Sequence, residues 1–183
     1  MQQVSAVYSN EKIVIPAQNE ADNLYQDGYG SRININVLTL DSFEALYLIE
    51  KERIVVINEE GGRTLSFQEL LDIELIKDNL LWTKYIVYRD IRGRGFVVKE
   101  SKDNNPGFLV YERGSYMKKS PSHHIYTVSE GITETIGHLE KVLNEIMKWD
   151  RFLKLAVVDR RGEVIYYSLG KLDFDNLITE MSE

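Results

Sequence analysis

Cysteine is absent from this chain. That excludes disulfides and thiolate metal sites, and it fits a reducing cytoplasm, the expected location. No apolar run approaches the ~20 residues that a membrane-spanning helix needs, so no membrane partner is expected. The opening residues, MQQVSAVYSNEK, lack a basic flank followed by a long apolar stretch, so no secretion signal is expected. Repeats, low-complexity tracts and long linkers are also missing. Histidine is scarce: His123 and His124 stand together, and His138 falls on a separate expected helix without ligand spacing. No metal and no other cofactor is expected. Positive charge is in deficit, with 22 Lys and Arg against 29 Asp and Glu and a formal net charge of −7. A generic nucleic-acid binder carries a basic excess, so any RNA contact here must come from a local patch.

What is present suits a globular protein with a real core: 183 residues, 43% hydrophobic and 28% charged. Alternation predicts a hairpin from 4–8 and 12–15 around Ser9-Asn10-Glu11. Residues 24–30 (LYQDGYG) read as a turn, and Ile33, Ile35 and Val37 as one side of a half-buried strand. Asp41 or Ser42, with Glu44 at capping-box spacing, opens a helix over 43–52. A strand at 54–57 closes in the turn at 59–62, and Ser66 with Glu69 opens another helix. The second half begins with a helix over 79–92, where Leu81, Tyr85, Tyr88 and Ile91 fall at helical spacing and Gly93 and Gly95 stop it. Strands are expected at 96–99, 108–112 and 124–128. Thr133 caps a helix with Ile136, Leu139, Val142, Leu143 and Ile146 on its apolar side. Strands at 153–158 and 163–168 flank the turn Asp159-Arg160-Arg161-Gly162, and the tail from Lys171 is a short helix or frayed. The fold class is mixed α/β: an N-terminal α+β domain over 1–78, then a C-terminal nuclease-like domain over 79–183 with a mixed sheet flanked by helices.

Three stretches carry a family likeness. EALYLIEKERIVV at 44–56 is a helix followed by a strand. YIVYRDIRGRGFVVK at 85–99 is a helix, a basic glycine-punctuated turn and a strand. FLVYERG at 108–114, HHIYTV at 123–128 and LAVVDRRGEVIYY at 155–167 are later strands. In this order, over nearly the whole chain, they resemble the archaeal tRNA-splicing endonucleases. The resemblance implies metal-independent cleavage of precursor tRNA at bulge-helix-bulge intron boundaries, leaving a 2′,3′-cyclic phosphate and a 5′-hydroxyl. It implies Tyr111 as the base for the attacking 2′-hydroxyl and His123 as the acid for the leaving 5′-oxygen, with a cation for charge building on phosphorus. Histidine suits the acid role because its free pKa near 6.5 lets it release a proton near neutrality. It also implies a homo- or hetero-oligomer with another endonuclease subunit. The local basic window around the glycine turn makes Arg89, Arg92, Arg94 and Lys99 the expected phosphate contacts.

The pattern departs from the family in three places. The family lysine position holds Arg151, preceded by Trp149-Asp150 instead of a basic run. Lys154 lies three residues on, and a shift of three along a strand turns a side chain to the opposite face. The stretch before the tyrosine strand is Asp103-Asn104-Asn105-Pro106-Gly107, and the docking turn carries Arg160 and Arg161 where the family is acidic. A structural, non-catalytic subunit of the same enzyme, or a non-enzymatic α/β interaction module, are the alternatives these departures leave. Trp82 and Trp149 read as packing residues.

Overall fold

The protein, seen in a computed structural model, is described over residues 3–34, 37–102 and 106–170. Two mixed sheets flanked by helices make up the fold. The first opens with the hairpin of β1 (Val4–Ser9) and β2 (Lys12–Ile15). Its two turn residues, Asn10 (φ 48°) and Glu11 (φ 59°), are both left-handed, as a two-residue hairpin loop requires. Where a turn was expected over 24–30, helix α1 (Gln18–Gln26) runs on through Leu24, and the turn begins only at Asp27. Just two of its residues, Ala21 and Leu24, are buried, so its apolar side was too thin to give a periodic signal. The single strand expected from Ile33 to Val37 is two, β3 (Ser31–Asn34) and β4 (Val37–Leu40), paired antiparallel. Ile35 lies outside the described residues. Helix α2 (Ser42–Glu50) has the capping box of Asp41 and Glu44 and stops short of residue 52. Strands β5 (Ile54–Asn58) and β6 (Thr64–Leu65) follow, then α3 (Phe67–Leu75), capped by Ser66. The sheet order is β3-β4-β2-β1-β5-β6, with β1 and β5 parallel.

In the second half, α4 (Leu81–Gly93) buries Leu81, Tyr85, Tyr88 and Ile91 as their spacing predicted. It leads into β7 (Val97–Glu100), β8 (Phe108–Tyr111) and β9 (His123–Ser129). Helix α5 (Ile136–Met147) crosses over to β10 (Phe152–Val158), which runs parallel to β9, and β11 (Val164–Leu169) closes the order β11-β10-β9-β8-β7. The α5 cap is Thr135, not Thr133: its side chain accepts the His138 N–H at 3.2 Å. Ile136 is correspondingly not on the packed side but 86% exposed. Val142, Leu143 and Ile146 pack with Tyr126 and Leu153 in a small second core that Leu139 flanks, and His138 of the first turn meets the Tyr126 hydroxyl at 3.2 Å. The tail from Lys171 falls outside the described residues. Among the described residues, no helix is long and apolar enough to cross a membrane.

One core joins the two halves. Phe43 of α2 sits against Tyr88 of α4 (centroids 4.9 Å apart) and edge-on to Phe108 of β8 (5.2 Å). Beside these rings lies an ion pair that ties β7 to the first half. Glu44 is 0% exposed. One of its oxygens accepts the N–H groups of Gly30 (2.8 Å) and Asp41 (3.2 Å). The other faces the Lys99 ammonium at 3.0 Å, which also donates to the Gly30 carbonyl at 2.7 Å. Gly30 itself has φ +68°, and a Cβ there would fall 2.6 Å from Leu38. Removing one partner of a buried pair strands the other charge without water. Lys99→Ala is therefore expected to cost roughly 3–5 kcal/mol in chemical denaturation, with the double change Lys99→Met, Glu44→Gln recovering much of it. A loss on the scale of a surface pair, below about 1 kcal/mol, would contradict this.

Candidate active site

Strand pairing decides which side chains can work together. His123 opens β9, opposite Val110 of β8 on one side and Phe152 of β10 on the other. Directly opposed residues share a sheet face, and residues two apart on a strand share it as well. The parallel register of Phe152 with His123 and of Lys154 with Ile125 therefore puts Lys154 on the His123 face. Both side chains line a cleft of about 270 Å³ where the end of α4 lies over the sheet. Glu112, Arg94, Asp90 and Tyr166 complete its polar wall.

Within the cleft, His123 Nδ1 shares a 2.8 Å hydrogen bond with the Ser122 hydroxyl and lies 3.7 Å from a Glu112 oxygen. The Phe152 ring, 72% exposed, stands 5.6 Å from the imidazole. Burial, then the Lys154 charge, lowers the His123 pKa, against a smaller opposing pull from Glu112. The Tyr166 hydroxyl donates to Asp90 at 2.8 Å, and burial followed by that bond pushes its pKa far up. Tyr166 thus stays protonated, and with Asp90 it fastens β11 to α4.

The other expected site residues scatter. Tyr111, one place beyond Val110, is turned by the pleat to the opposite face, where its ring meets Tyr116 edge-on at 5.1 Å. It is not brought into the cleft, although it ends β8 at the same end of the sheet where His123 begins β9. Arg151 sits before β10 beside Trp149 (5.6 Å to the ring) and lines a separate depression with Leu143 and Met147 of α5. Lys99, expected to contact RNA, is instead committed to Glu44 and Gly30 inside the protein. Arg92 donates to the carbonyls of Phe96 (3.0 Å) and Asp27 (2.7 Å) and lies 4.1 Å over the Tyr29 ring, so it closes the end of α4. Arg94 pairs with Asp90 at the edge of the cleft, and Arg89 is exposed over the Tyr85 ring. His124 is fully buried, with its Nε2 3.3 Å from the Pro106 carbonyl. Residues 103–105 lie outside the described residues. Sequence reasoning passed over Glu112 and Tyr166. The signal for Glu112 was its place two residues after Val110; for Tyr166 no local signal existed, since β11 meets α4 only in the fold. Among the described residues, no three His, Asp or Glu side chains converge so as to hold a metal.

A family model described as tRNA intron endonuclease, N-terminal domain, matches residues 4–71, and one described as tRNA intron endonuclease, catalytic C-terminal domain, matches residues 81–166. The tRNA-splicing endonuclease of Methanococcus vannielii is 32% identical over 169 residues, covering 92% of this chain and 94% of that one. The chain belongs to the tRNA-splicing endonuclease family. Further family members similar to it include the tRNA-splicing endonucleases of Methanococcus maripaludis (30% identical; 92% and 94% covered) and Thermococcus onnurineus (30%; 91% and 95%). The His123 cleft lies wholly within the stretch that matches the catalytic domain of this endonuclease family.

The electrostatics give a direct check. The His123 imidazole is expected to titrate below its ordinary 6.5 in an NMR pH series. Lys154→Met should move the midpoint up, because a like charge is removed, and Glu112→Gln should move it further down. A midpoint indifferent to Lys154 would mean that the two groups do not share the cleft.

Proposed function

We propose that the chain cleaves precursor tRNA at bulged intron boundaries, leaving a 2′,3′-cyclic phosphate and a 5′-hydroxyl. The observation that carries this reading is the convergence of His123 and Lys154 in one cleft at the sheet end. His123, as imidazolium, gives its proton to the departing 5′-oxygen. Lys154, in place of the expected Arg151, meets the negative charge that builds on the phosphorane. In-line attack needs its base and acid on opposite sides of phosphorus. Tyr111 and His123 flank the same sheet end from opposite faces, which supports Tyr111 as the base for the 2′-hydroxyl. Because His123 acts as an acid with a lowered pKa, kcat/KM should fall as pH rises through that pKa.

The same reading covers the rest of the molecule. The domain division falls between Asp78 and Asn79, supported by a first sheet that ends at Leu65 and a second that starts at Val97. The chain works as an oligomer with itself or another subunit, supported by the edge position of β11, whose Ile165 and Tyr167 are both about half exposed. An unpaired, apolar edge strand is a liability for a monomer. A cytoplasmic site of action is supported by the absence of cysteine. The second reading, a structural subunit that holds a catalytic partner, is favoured by Arg151 pointing away from His123.

The test is incubation of the purified chain alone with a bulge-helix-bulge RNA in EDTA. Cleavage with cyclic-phosphate ends is expected, His123→Ala losing roughly 10²-fold or more, and sedimentation of the same preparation should show more than a monomer at micromolar concentration. Activity that appears only when a second subunit is added, and that ignores His123→Ala, would leave the structural role instead.

A further inference from the structure

Beside the His123 cleft lies a second depression of about 440 Å³ between α4 and the start of β11, with Asp90 and Arg94 as the shared wall. A third, of about 470 Å³, shares Ile86, Arg89 and Gly162 with the second. The third is lined by Trp82, Arg160 and Arg161. The three depressions follow one another along the seam between α4 and β11, with the Tyr166–Asp90 hydrogen bond crossing between the first two. From Arg94 back to Trp82 the helix advances about 18 Å, the axial span of about five phosphates of one strand of a helical nucleic acid.

The charges along this seam are arranged unevenly. Its acids are largely engaged within the protein. Asp90 holds Arg94 (3.1 Å) and the Tyr166 hydroxyl. An Asp159 oxygen accepts the N–H groups of Arg161 and Glu163, each at 2.8 Å. Glu130 accepts the Arg160 N–H at 3.1 Å and faces its guanidinium at 3.9 Å. Glu163 is left exposed. Arg89 and Arg161 are exposed too, and among the described residues neither has a carboxylate at salt-bridge distance, although Arg89 meets the Tyr85 hydroxyl and feels the Glu50 charge. The hairpin turn thus uses its aspartate to shape itself and points its arginines outward. At the far end Trp82 is 45% exposed, its ring tilted against that of Tyr85 at 5.5 Å, over which Arg89 lies in turn. A half-exposed tryptophan next to exposed guanidinium groups suits a nucleobase on the ring and phosphates on the arginines.

We propose that the α4–β11 seam is the track for the RNA strand that leaves the His123 cleft. Trp82 stacks an unpaired base, and Arg89 and Arg161 take phosphates. The proposal rests on the cleavage reading above and adds to it the path and the discriminating residue. It accounts for how a chain with net charge −7 holds a polyanion: the cations line the seam, and the surrounding acids keep RNA from binding elsewhere.

The experiment is equilibrium binding of the full chain to a bulge-helix-bulge RNA with a 2′-deoxy sugar at the scissile position, which cannot be cleaved. Trp82→Ala should weaken binding about 5-fold or more, and Trp82→Phe should restore most of it. The pair Arg89→Ala, Arg161→Ala should reduce the slope of log affinity against log salt by about 2. Arg63→Ala, an exposed arginine on the other half paired with Glu69, should change neither. On cleavable RNA at saturating protein, Arg63→Ala should leave the single-turnover rate unchanged, since Arg63 lies outside both the cleft and the seam. Binding by Trp82→Ala equal to the unsubstituted chain, with an unaltered salt slope in the arginine pair, would overturn the track while leaving cleavage at His123 intact. Loss of self-association in place of RNA affinity would overturn it in favour of a subunit interface. An unsubstituted chain that neither binds nor cleaves the RNA would sink the cleavage reading and the track together.

Discussion

A carboxylate with no exposed surface has to be answered from within the protein, and the answer given to Glu44 holds the two halves of this molecule in register. Its two oxygens take backbone N–H groups from Gly30 and Asp41 and the ammonium of Lys99. Desolvating two charges costs several kcal/mol each unless geometry and extra hydrogen bonds compensate. Here each charge has such bonds. The pair therefore specifies one docking of β7 onto the first half, beside the rings of Phe43, Tyr88 and Phe108. β7 pairs with β8, and β8 with β9. The position of His123 is consequently set two strands away from the ion pair that anchors its sheet.

Local chemistry was legible in the sequence wherever a local rule governs. The capping box of Asp41 and Glu44, the cap at Ser66 and the turn at Asp159-Arg160-Arg161-Gly162 all form as their residue types require; of the two expected stops, Gly95 ends the turn after α4 in a left-handed conformation, whereas Gly93 is still helical. Helix α1 was hidden because two buried residues in nine make no pattern. Thr135 was mistaken for Thr133 because both threonines can cap, and only the packing of α5 on the sheet chooses between them. Ile136 looked buried for the same reason.

The candidate site divides along the same line. That Arg151 and Lys154 face opposite ways follows from pleating alone. Which of them meets His123 depends on the parallel register of β9 with β10, set across the α5 crossover by tertiary packing rather than by any neighbouring residue. The fold answers for Lys154. Similarly, Lys99 and Arg92 read as surface cations because nothing in the sequence reveals that Glu44, Gly30 and the Asp27 carbonyl will be waiting for them. Arg89 and Arg161 stay exposed, and among the described residues neither has a carboxylate at salt-bridge distance; Arg89 lies over the Tyr85 ring instead.

The central claim is that Lys154, not Arg151, serves His123 in the cleavage step. The most direct measurement is the single-turnover rate on bulge-helix-bulge RNA at saturating protein for Lys154→Ala and Arg151→Ala side by side. Losing a cation that stabilises transition-state charge should slow Lys154→Ala by roughly 10²-fold, with Arg151→Ala within a factor of about three of the unsubstituted chain. The opposite order, with Arg151→Ala crippled and Lys154→Ala near normal, would contradict the account.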